Sequence, residues 1–93
     1  MYKISVIIPV HNAEDTIKRS FDSILNQTFD FNDLEIIFID DASKDNSLDI
    51  IQNFSEEYSN VKCVSLENNS GFAGRPRNIG IENATAPYIM FLD

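Results

Sequence analysis

The feature that most constrains the fold of this 93-residue chain is a regular switch between two hydrophobic patterns. Short runs that are apolar almost throughout alternate with segments in which apolar residues recur at helical intervals. Continuous apolar runs are typical of buried strands, and helical spacing is typical of amphipathic helices. The alternation predicts the order βαβαβαβ and therefore an α/β fold with a right-handed, mostly parallel sheet, whose strands we expect in the order 3-2-1-4.

Four apolar runs are predicted to be strands. Residues 4–8 form a β-branched run that ends at Pro9, and residues 34–39 are apolar enough for a central strand covered on both faces. Residues 61–66 and 88–92 supply the third and fourth strands.

The helices between these runs are marked by apolar spacing and by polar caps. Asn12 is the predicted N-cap of the first helix, with Asp15 in capping-box register, and Asp45 or Asn46 caps the second. Pro76 suits the first turn of the third helix, where backbone N–H groups are unbonded in any case. The apolar positions are Ile17, Phe21, Ile24 and Leu25, then Ile50, Ile51, Phe54 and Tyr58, and finally Ile79 and Ala84.

Composition argues against several classes of protein. The 15 acidic and 7 basic residues give a net charge of −8, which argues against the phosphate contacts of a nucleic-acid-binding protein. No apolar run approaches the roughly 18 residues of a membrane span. We therefore predict no nucleic-acid partner, no transmembrane segment in this portion and a cytoplasmic location. The single cysteine, Cys63, is predicted to be a small core residue without a catalytic role.

Functional residues are expected at the carboxyl ends of the strands, where open parallel α/β sheets bind their ligands. The first strand is followed by Pro9-Val10-His11-Asn12, which has no glycine, so a dinucleotide-binding turn is disfavoured, and the Walker phosphate-binding pattern is absent. The second strand ends in Asp40 and Asp41, and the last run ends in Asp93.

Four segments carry a resemblance to a known family over essentially the whole chain. They are SVIIPVHNAEDTIKRSFDSILNQT, EIIFIDDASKDNS, NNSGFAGRPRNIGI and APYIMFLD. In this order and spacing they resemble the amino-terminal, nucleotide-binding half of the inverting family 2 glycosyltransferases. The resemblance implies that residues 1–93 are a Rossmann-like GT-A half-domain, cut from a longer protein. The stretch Gly74-Arg75-Pro76-Arg77-Asn78 is similar to the wall teichoic acid branch of that family.

The resemblance also implies roles for individual residues. Asp41 would accept a hydrogen bond from the nucleotide base. For Asp40 we expect a local role instead, because aspartates at a strand end often satisfy the amides of their turn. His11 stands where many members have Tyr or Phe and would pack beside the base, and Arg75 and Arg77 would face the diphosphate. The residues assigned to the nucleotide-sugar are Pro9, Val10, His11, Asn12, Asp41, Arg75, Arg77 and Asp93.

Asp93 is similar to the first acid of the family's Asp-x-Asp motif, beside a Mg²⁺ or Mn²⁺ ion. The second acid, the acceptor site and the general base would lie beyond it, so we expect these 93 residues to be inactive alone and to hold no metal firmly. The implied donor is a nucleotide-sugar, with UDP the first nucleotide to consider, for hexosyl or N-acetylhexosaminyl transfer. The implied acceptor is a saccharide, a polyol phosphate such as teichoic acid, or a lipid-linked acceptor.

Two further expectations concern the surroundings of the chain. An exposed apolar margin is expected where the rest of the domain would pack, and it could support self-association. For the whole protein, peripheral association with the inner face of the plasma membrane is left open.

The alternative function is a non-catalytic nucleotide-binding or receiver-like regulatory module. A receiver would carry its acidic pair after the first strand, however, and here Asp40 and Asp41 follow the second.

Overall fold

The structure is a computed structural model that describes residues 1–26, 30–67 and 74–92. Within these ranges the chain forms four parallel strands in the order β3-β2-β1-β4. The elements are β1 (Ile4–Val10), α1 (Ile17–Leu25), β2 (Leu34–Asp41), α2 (Ser47–Glu57), β3 (Val61–Leu66), α3 (Gly74–Asn83) and β4 (Tyr88–Phe91). A short 3-10 turn, Phe31–Asp33, precedes β2. The predicted α/β class and strand order are confirmed.

Strand β2 lies at the centre of the packing. All eight of its residues are buried, because β1 and β3 flank it and helices cover both faces. This confirms the prediction made from its nearly continuous apolar run. No helix in the described part of the chain is long and apolar enough to cross a membrane.

One face of the sheet packs against α1 and α2 through aromatic rings. Phe21 of α1 stacks on Phe54 of α2, with ring centroids 4.2 Å apart, and meets Phe31 edge to face at 5.9 Å. The buried side chains of this face are Val6, Ile8, Val10, Ile17, Phe21, Ile24, Leu34, Ile36, Phe38, Ile51 and Val61. The predicted inward positions of α1 and α2 all belong to this core or pack against it.

The other face is covered by α3 and has a smaller core. Its hydrophobic cluster in the described chain contains the fully buried residues Ile7, Ile37 and Ile39, and the predicted inward residues Ile79 and Ala84 pack against them. Pro76 lies in the first turn of α3, as predicted, and is buried.

Cys63 of β3 packs against the core under α1 and α2. Burial raises the pKa of the Cys63 thiol to about 11, with a contribution from the charge of Asp40, so the thiol stays protonated at neutral pH.

The predicted end of the first strand at Pro9 is wrong. Strand β1 continues to Val10, and Pro9 pairs with Ile39. Alternate residues of a strand direct their backbone groups to the same neighbour, and the Ile7 carbonyl accepts a hydrogen bond from Leu92 N on the β4 side, at 3.0 Å. Pro9 faces that side too, so its missing N–H leaves the β1–β2 ladder intact.

The predicted cap of α1 is also wrong. Helix α1 begins at Ile17 after a turn closed by the bond from Ile17 N–H to Ala13 O, and Thr16 occupies the cap position. Asn12 has a φ of 49°, and its side-chain oxygen accepts a hydrogen bond from Lys44 N–H at 2.8 Å. A cap residue normally has an extended backbone, so the left-handed turn directs Asn12 to the neighbouring loop instead.

At α2 the two predicted caps share the task. Asn46 occupies the N-cap position, but its side chain makes no capping bond. The Asp45 carboxylate accepts hydrogen bonds from Ser47 N–H at 2.9 Å and from Ser47 Oγ at 2.5 Å. The hydrogen bond from the Ser47 hydroxyl lowers the pKa of Asp45.

The amino ends of the strands enclose a carboxylate that is completely buried. Glu35 Oε1 accepts hydrogen bonds from Ser5 Oγ at 2.7 Å and Thr85 N–H at 2.8 Å. Glu35 Oε2 accepts from Thr85 Oγ1 at 3.0 Å and pairs with Lys62 Nζ at 2.7 Å. Ala86 N–H donates to Ser5 Oγ at 3.2 Å. We refer to these five residues as the Glu35 cluster.

Opposing effects set the pKa of Glu35. Burial alone would raise it, but the ion pair with Lys62 and the hydrogen bonds from Ser5 and Thr85 outweigh burial and lower the pKa from 4.5 to about 2. The side chain is therefore a carboxylate at neutral pH with each oxygen accepting two bonds, which is the condition for a buried charge to be tolerated.

Strand β4 forms the open edge of the sheet and is exposed along its length. Tyr88 is 71% exposed, and Ile89, Met90 and Phe91 are 41%, 46% and 44% exposed. The predicted apolar margin is present in the described chain. Self-association through it stays a prediction.

We expect Gly80→Ala to destabilise the protein, although alanine is normally the better helix former. A methyl group at Gly80 would lie 2.4 Å from Ile7 Cγ2, so α3 or β1 must move. Overpacking costs about 1 to 3 kcal/mol, which exceeds the gain of about 1 kcal/mol from replacing a helical glycine. Asn78→Ala, at an exposed position of α3, is the control and should not destabilise. The melting temperature in thermal unfolding measures the effect. An equal rise in melting temperature for both variants would contradict the close packing at Gly80.

We expect Glu35→Gln to remove a pH-dependent part of the stability. Because folding lowers this pKa, the carboxylate stabilises the protein fully above its unfolded value of 4.5, and this contribution is lost as the pH falls towards 2. The lowering corresponds to on the order of 3 kcal/mol at neutral pH. Urea unfolding at pH 7 and pH 3 should show the gap between wild type and variant narrowing with acid. Asp22→Asn, at an exposed site, is the control, and a gap of constant size would contradict the assignment.

Candidate functional site

The loops that follow β1 and β2 are bound to each other. Asn12 N–H donates to Ser43 Oγ at 2.9 Å, and Lys44 N–H donates to Asn12 Oδ1 at 2.8 Å. Ala13 N–H donates to Ser47 Oγ at 2.8 Å. We call these contacts the loop brace. Because each bond joins a backbone amide of one loop to a side chain of the other, the brace fixes the backbone of both loops.

The loop brace continues away from the strand ends. Glu14 N–H donates to Asp45 Oδ2 at 3.2 Å, and Asn46 N–H donates to Glu14 Oε2 at 3.4 Å. The two acidic side chains thus exchange hydrogen bonds with backbone amides of the opposite loop. Both loops begin at the same height along the sheet, because Val10 pairs with Asp40 in the parallel register of β1 and β2.

His11 joins the two loops through its ring. His11 Nδ1 lies 2.7 Å from the backbone carbonyl of Asp41. A carbonyl oxygen only accepts, so Nδ1 carries the proton and donates. In the neutral ring Nε2 is then an acceptor, and Asn12 Nδ2 lies 3.3 Å from it. The His11 residue is exposed beside the strand ends.

Two residues that are not glycine hold left-handed backbone conformations here. Asn12 has a φ of 49° and Ala42 a φ of 55°. Asparagine tolerates this region through local hydrogen bonds, whereas alanine gains nothing comparable and is strained by about 1 to 2 kcal/mol. Such outliers persist where surrounding contacts over-determine the backbone, and here the loop brace supplies those contacts.

A cavity of about 630 Å³ opens at this edge of the sheet. Its size is within the roughly 300 to 1,000 Å³ typical of small-molecule sites. Its described walls combine loop residues with the end of β3, and they are His11, Asn12, Asp40, Ala42, Ser43, Lys44, Leu48, Ser65, Leu66 and Glu67. The predicted site residues His11 and Asn12 are therefore brought to one cavity.

The neighbouring aspartates of β2 point to opposite faces. Successive side chains of a strand alternate, so Asp40 lies on the face covered by α1 and α2, and Asp41 lies on the face covered by α3. Asp40 Oδ2 accepts a hydrogen bond from Ser43 N–H at 3.2 Å, which fits its predicted turn-bonding role. Asp40 Oδ1 is buried without a hydrogen-bond partner in the described chain, and Asp40 lines the cavity. Asp41 is not among the described residues that line the cavity.

The two predicted phosphate-binding residues lie in the first turns of α3. Arg75 is exposed, and Arg77 is half-buried with its guanidinium carbon 6.0 Å from the Phe91 ring centroid. Helix α3 covers the face on which Asp41 lies, so Asp41 and the arginines share one side of the sheet. The contact with Phe91 places Arg77 beside the carboxyl end of β4.

The remaining predicted residues contribute differently. The side chain of Val10 belongs to the core at 3% exposure, so only its backbone is available to a ligand, and Pro9 is half-buried in β1. Asp93 lies outside the described residues. Within residues 1–26, 30–67 and 74–92 no group of three His, Cys, Asp or Glu side chains is placed to hold a metal ion.

Sequence reasoning missed the residues that form the loop brace. Ser43, Lys44 and Ser47 act there by contacts with residues more than thirty positions away. The available signal was the turn rich in Asp, Ser and Asn after β2, but such a turn predicts bonds within itself.

Comparisons with known proteins agree with this architecture. The family model for "Glycosyl transferase family 2" matches residues 5–93. The chain is 47% identical over 91 residues to a poly(ribitol-phosphate) beta-glucosyltransferase of Bacillus spizizenii, covering 98% of this chain and 14% of that protein. It is 41% identical over 95 residues to the poly(ribitol-phosphate) beta-N-acetylglucosaminyltransferase TarP of Staphylococcus aureus, covering 100% of this chain and 28% of that protein.

Solved structures give the same result. The crystal structure of S. aureus TarS 1-349 in complex with UDP-GlcNAc superposes with a TM-score of 0.89 at 35% identity, over 98% of this chain and 27% of that chain. A mannosyltransferase of Pyrobaculum calidifontis in complex with GDP-Man and Mn²⁺ shares the fold alone, with a TM-score of 0.73 at 23% identity, over 91% of this chain and 26% of that chain.

The predicted resemblance is confirmed, including its teichoic acid branch. The chain spans about 14% of the B. spizizenii protein and 28% of TarP. It belongs to glycosyltransferase family 2.

Proposed function

We propose that this chain is the nucleotide-sugar-binding part of an inverting glycosyltransferase that uses a UDP-sugar and glycosylates a polyol-phosphate polymer. The observation that carries the proposal is the braced cavity at the carboxyl ends of β1, β2 and β3. This is where open α/β sheets bind nucleotides. Relatives named for glucose or N-acetylglucosamine transfer to poly(ribitol-phosphate) support the donor and the acceptor class.

The loop brace suits recognition of a nucleoside. Base recognition requires donors and acceptors at fixed positions, and the brace holds both loops without help from the ligand. In this proposal the Asp41 carboxylate accepts a hydrogen bond from the base N–H. The backbone of Pro9 and Val10 borders the base, the loop at Asn12 lines the cavity, and the His11 ring packs beside the base.

The diphosphate is assigned to α3. Its first turns carry Arg75 and Arg77 in a chain whose net charge is −8, and Arg77 lies beside Phe91 at the carboxyl end of β4. Guanidinium groups form paired hydrogen bonds with phosphate oxygens. In inverting transfer an acceptor hydroxyl bonds to the anomeric carbon as the bond from that carbon to the diphosphate breaks. The arginines would then stabilise the charge left on the departing diphosphate.

We propose that Asp93 helps to hold a Mg²⁺ or Mn²⁺ ion in the whole protein. The described residues do not form a site for Mg²⁺ or Mn²⁺ by themselves, so the roles proposed for them involve no metal. The acceptor site and the base that takes the acceptor proton are assigned to parts of the protein beyond Asp93. We also assign the protein to the cytoplasm, where nucleotide-sugars are made.

No observation favours the receiver-like alternative. The first strand of this chain is followed by His11 and Asn12, whose polar groups bond the loop after β2. A receiver needs an acidic pair there and a phosphate-accepting aspartate after β3, where this chain has Ser65, Leu66 and Glu67.

In the whole protein we expect Asp41→Ala to weaken UDP binding by about 1 to 3 kcal/mol, roughly 5- to 150-fold. The reason is loss of one charge-assisted contact to the base. Calorimetric titration with UDP measures the affinity, and thermal unfolding measures stability separately. Asp22→Ala, at an exposed position of α1, is the control and should bind as the wild type does.

Asp40→Asn distinguishes the two aspartates. If Asp41 reads the base and Asp40 binds its turn, Asp40→Asn should affect stability more than UDP affinity. The base-recognition role of Asp41 would be contradicted by the reverse pattern. A variant at Asp41 that melts early but binds UDP normally per folded molecule would also contradict it.

We expect Arg75→Ala to weaken UDP binding by about 1.5 to 3 kcal/mol while leaving the binding of uridine unchanged. Arg75 is exposed, so its truncation should not disturb the fold. Competition titrations with UDP and uridine measure both affinities. Arg19→Ala removes an exposed arginine of α1 and controls for net charge. An equal loss for both ligands would assign Arg75 to the nucleoside instead of the diphosphate.

A further inference from the structure

The Glu35 cluster lies at the sheet edge opposite the cavity, yet the chain connects it directly to the site. The connection between α3 and β4 turns at the amino ends of the strands, where Thr85 bonds Glu35 and Tyr88 pairs with Ile4. From this connection α3 extends back to its first turns at Arg75, and β4 extends towards the same edge. The two elements therefore form one unit with its base at Glu35 and its free ends at the site.

One carboxylate binds this base to the rest of the sheet. Glu35 belongs to β2 and is 0% exposed. Its carboxylate accepts a hydrogen bond from Ser5 of β1 and pairs with Lys62 of β3. It also accepts hydrogen bonds from the backbone N–H and the hydroxyl of Thr85 in the connection. Ala86 N–H adds a bond to Ser5 Oγ. The connection is thus held by three hydrogen bonds that all depend on Glu35 directly or through Ser5.

The apolar core under α3 is small in the described part of the chain. In the described chain, the core under α3 contains the fully buried residues Ile7, Ile37 and Ile39, and the core under α1 and α2 is much larger. Helix α3 also lies very close to β1, since a methyl group at Gly80 would meet Ile7. A helix packed over a small core depends more on its polar attachments for its exact tilt.

The length of α3 converts a small tilt into a large displacement. Its ten residues extend about 15 Å, because an α-helix rises about 1.5 Å per residue. A tilt of about 4° at the base moves the far end by about 1 Å. Displacement of binding groups by about 1 Å can cost up to about 100-fold in their effect on a reaction. The arginines lie at that far end.

We propose that Glu35 is a positioning residue for the donor diphosphate: its buried carboxylate clamps the α3–β4 connection and thereby sets where Arg75 and Arg77 lie. The inference rests on the proposed function, because it takes the α3 arginines to bind the diphosphate. Glu35 itself contacts no ligand and acts only through Thr85 and Ala86.

Two variants of the whole protein test the clamp by removing different partners of the same carboxylate. Thr85→Val keeps the shape of the side chain and removes the hydroxyl donor to Glu35 on the α3–β4 side. Lys62→Met removes the ion pair on the β3 side and is the matched control. Thr85→Ser restores a hydroxyl and is the conservative rescue.

The readout is the ratio of UDP affinity to uridine affinity in the same buffer. Thr85→Val should lower this ratio on the order of ten-fold, with uridine affinity unchanged, because the base loops do not depend on the clamp. Lys62→Met should lower the melting temperature but leave the ratio as in wild type, and Thr85→Ser should keep it near wild type. A general loss of stability would not separate the two ligands. Equal ratios in wild type, Thr85→Val and Lys62→Met would overturn the proposal.

Amide hydrogen exchange of β4 tests the clamp without any nucleotide. Exchange at Ile89, Met90 and Phe91 should be faster in Thr85→Val than in Lys62→Met when both are compared under native conditions. Equal exchange in the two variants would overturn the clamp. If the wild type bound neither UDP nor uridine, the proposed function would fail, and the exchange data would still decide whether the connection is clamped.

Discussion

The parallel register between β1 and β2 is the constraint on which the rest of the structure depends. Val10 lies opposite Asp40, so both strands end at the same level and their loops meet side by side. A slip of one residue would turn Asp40 and Asp41 to the opposite faces and would separate the amides and side chains of the loop brace. Burial of β2 on both sides makes such a slip costly, because every apolar residue of the strand would change its surroundings.

The elements of the fold could be predicted because apolar periodicity reports burial directly. The runs at residues 34–39 and 61–66 became β2 and β3 with little change in bounds, and the inward positions of α1 and α2 were found from spacing alone. The strand ends were harder. Pro9 is accommodated only because its backbone faces the short strand β4, and that depends on sheet order, which local rules for proline do not contain.

The contacts that build the candidate site were hard to predict for a related reason. The family resemblance named His11, Asn12 and Asp41, and the structure brings their loops together. Asn12 has the composition of a helix cap but bonds a loop more than thirty residues away. Glu35 is a single charged residue in an apolar run, so the sequence pattern does not explain it. The structure does, because four donors surround its carboxylate. Long-range polar contacts leave almost no periodic signal.

The two halves of the site are stabilised by different means. The loops after β1 and β2, which we propose to face the nucleoside, are fixed by bonds between backbone and side chains over an aromatic core, in which Phe21 and Phe54 stack. Helix α3 is fixed over a thinner core by a buried charge. Local opening is governed by the number of buried apolar contacts, so α3 and β4 should open at lower free energy than β1, β2 and their loops.

The left-handed backbone of Ala42 has a consequence for the denatured chain. In the folded state its φ of 55° costs about 1 to 2 kcal/mol relative to glycine, which adopts this region freely. In the denatured state alanine samples fewer conformations than glycine, which reduces the entropy lost on folding by about 0.4 to 1 kcal/mol. The two effects oppose each other, so much of the local strain is offset by lower disorder before folding. The loop thereby keeps a restricted set of conformations even where the protein is not yet folded.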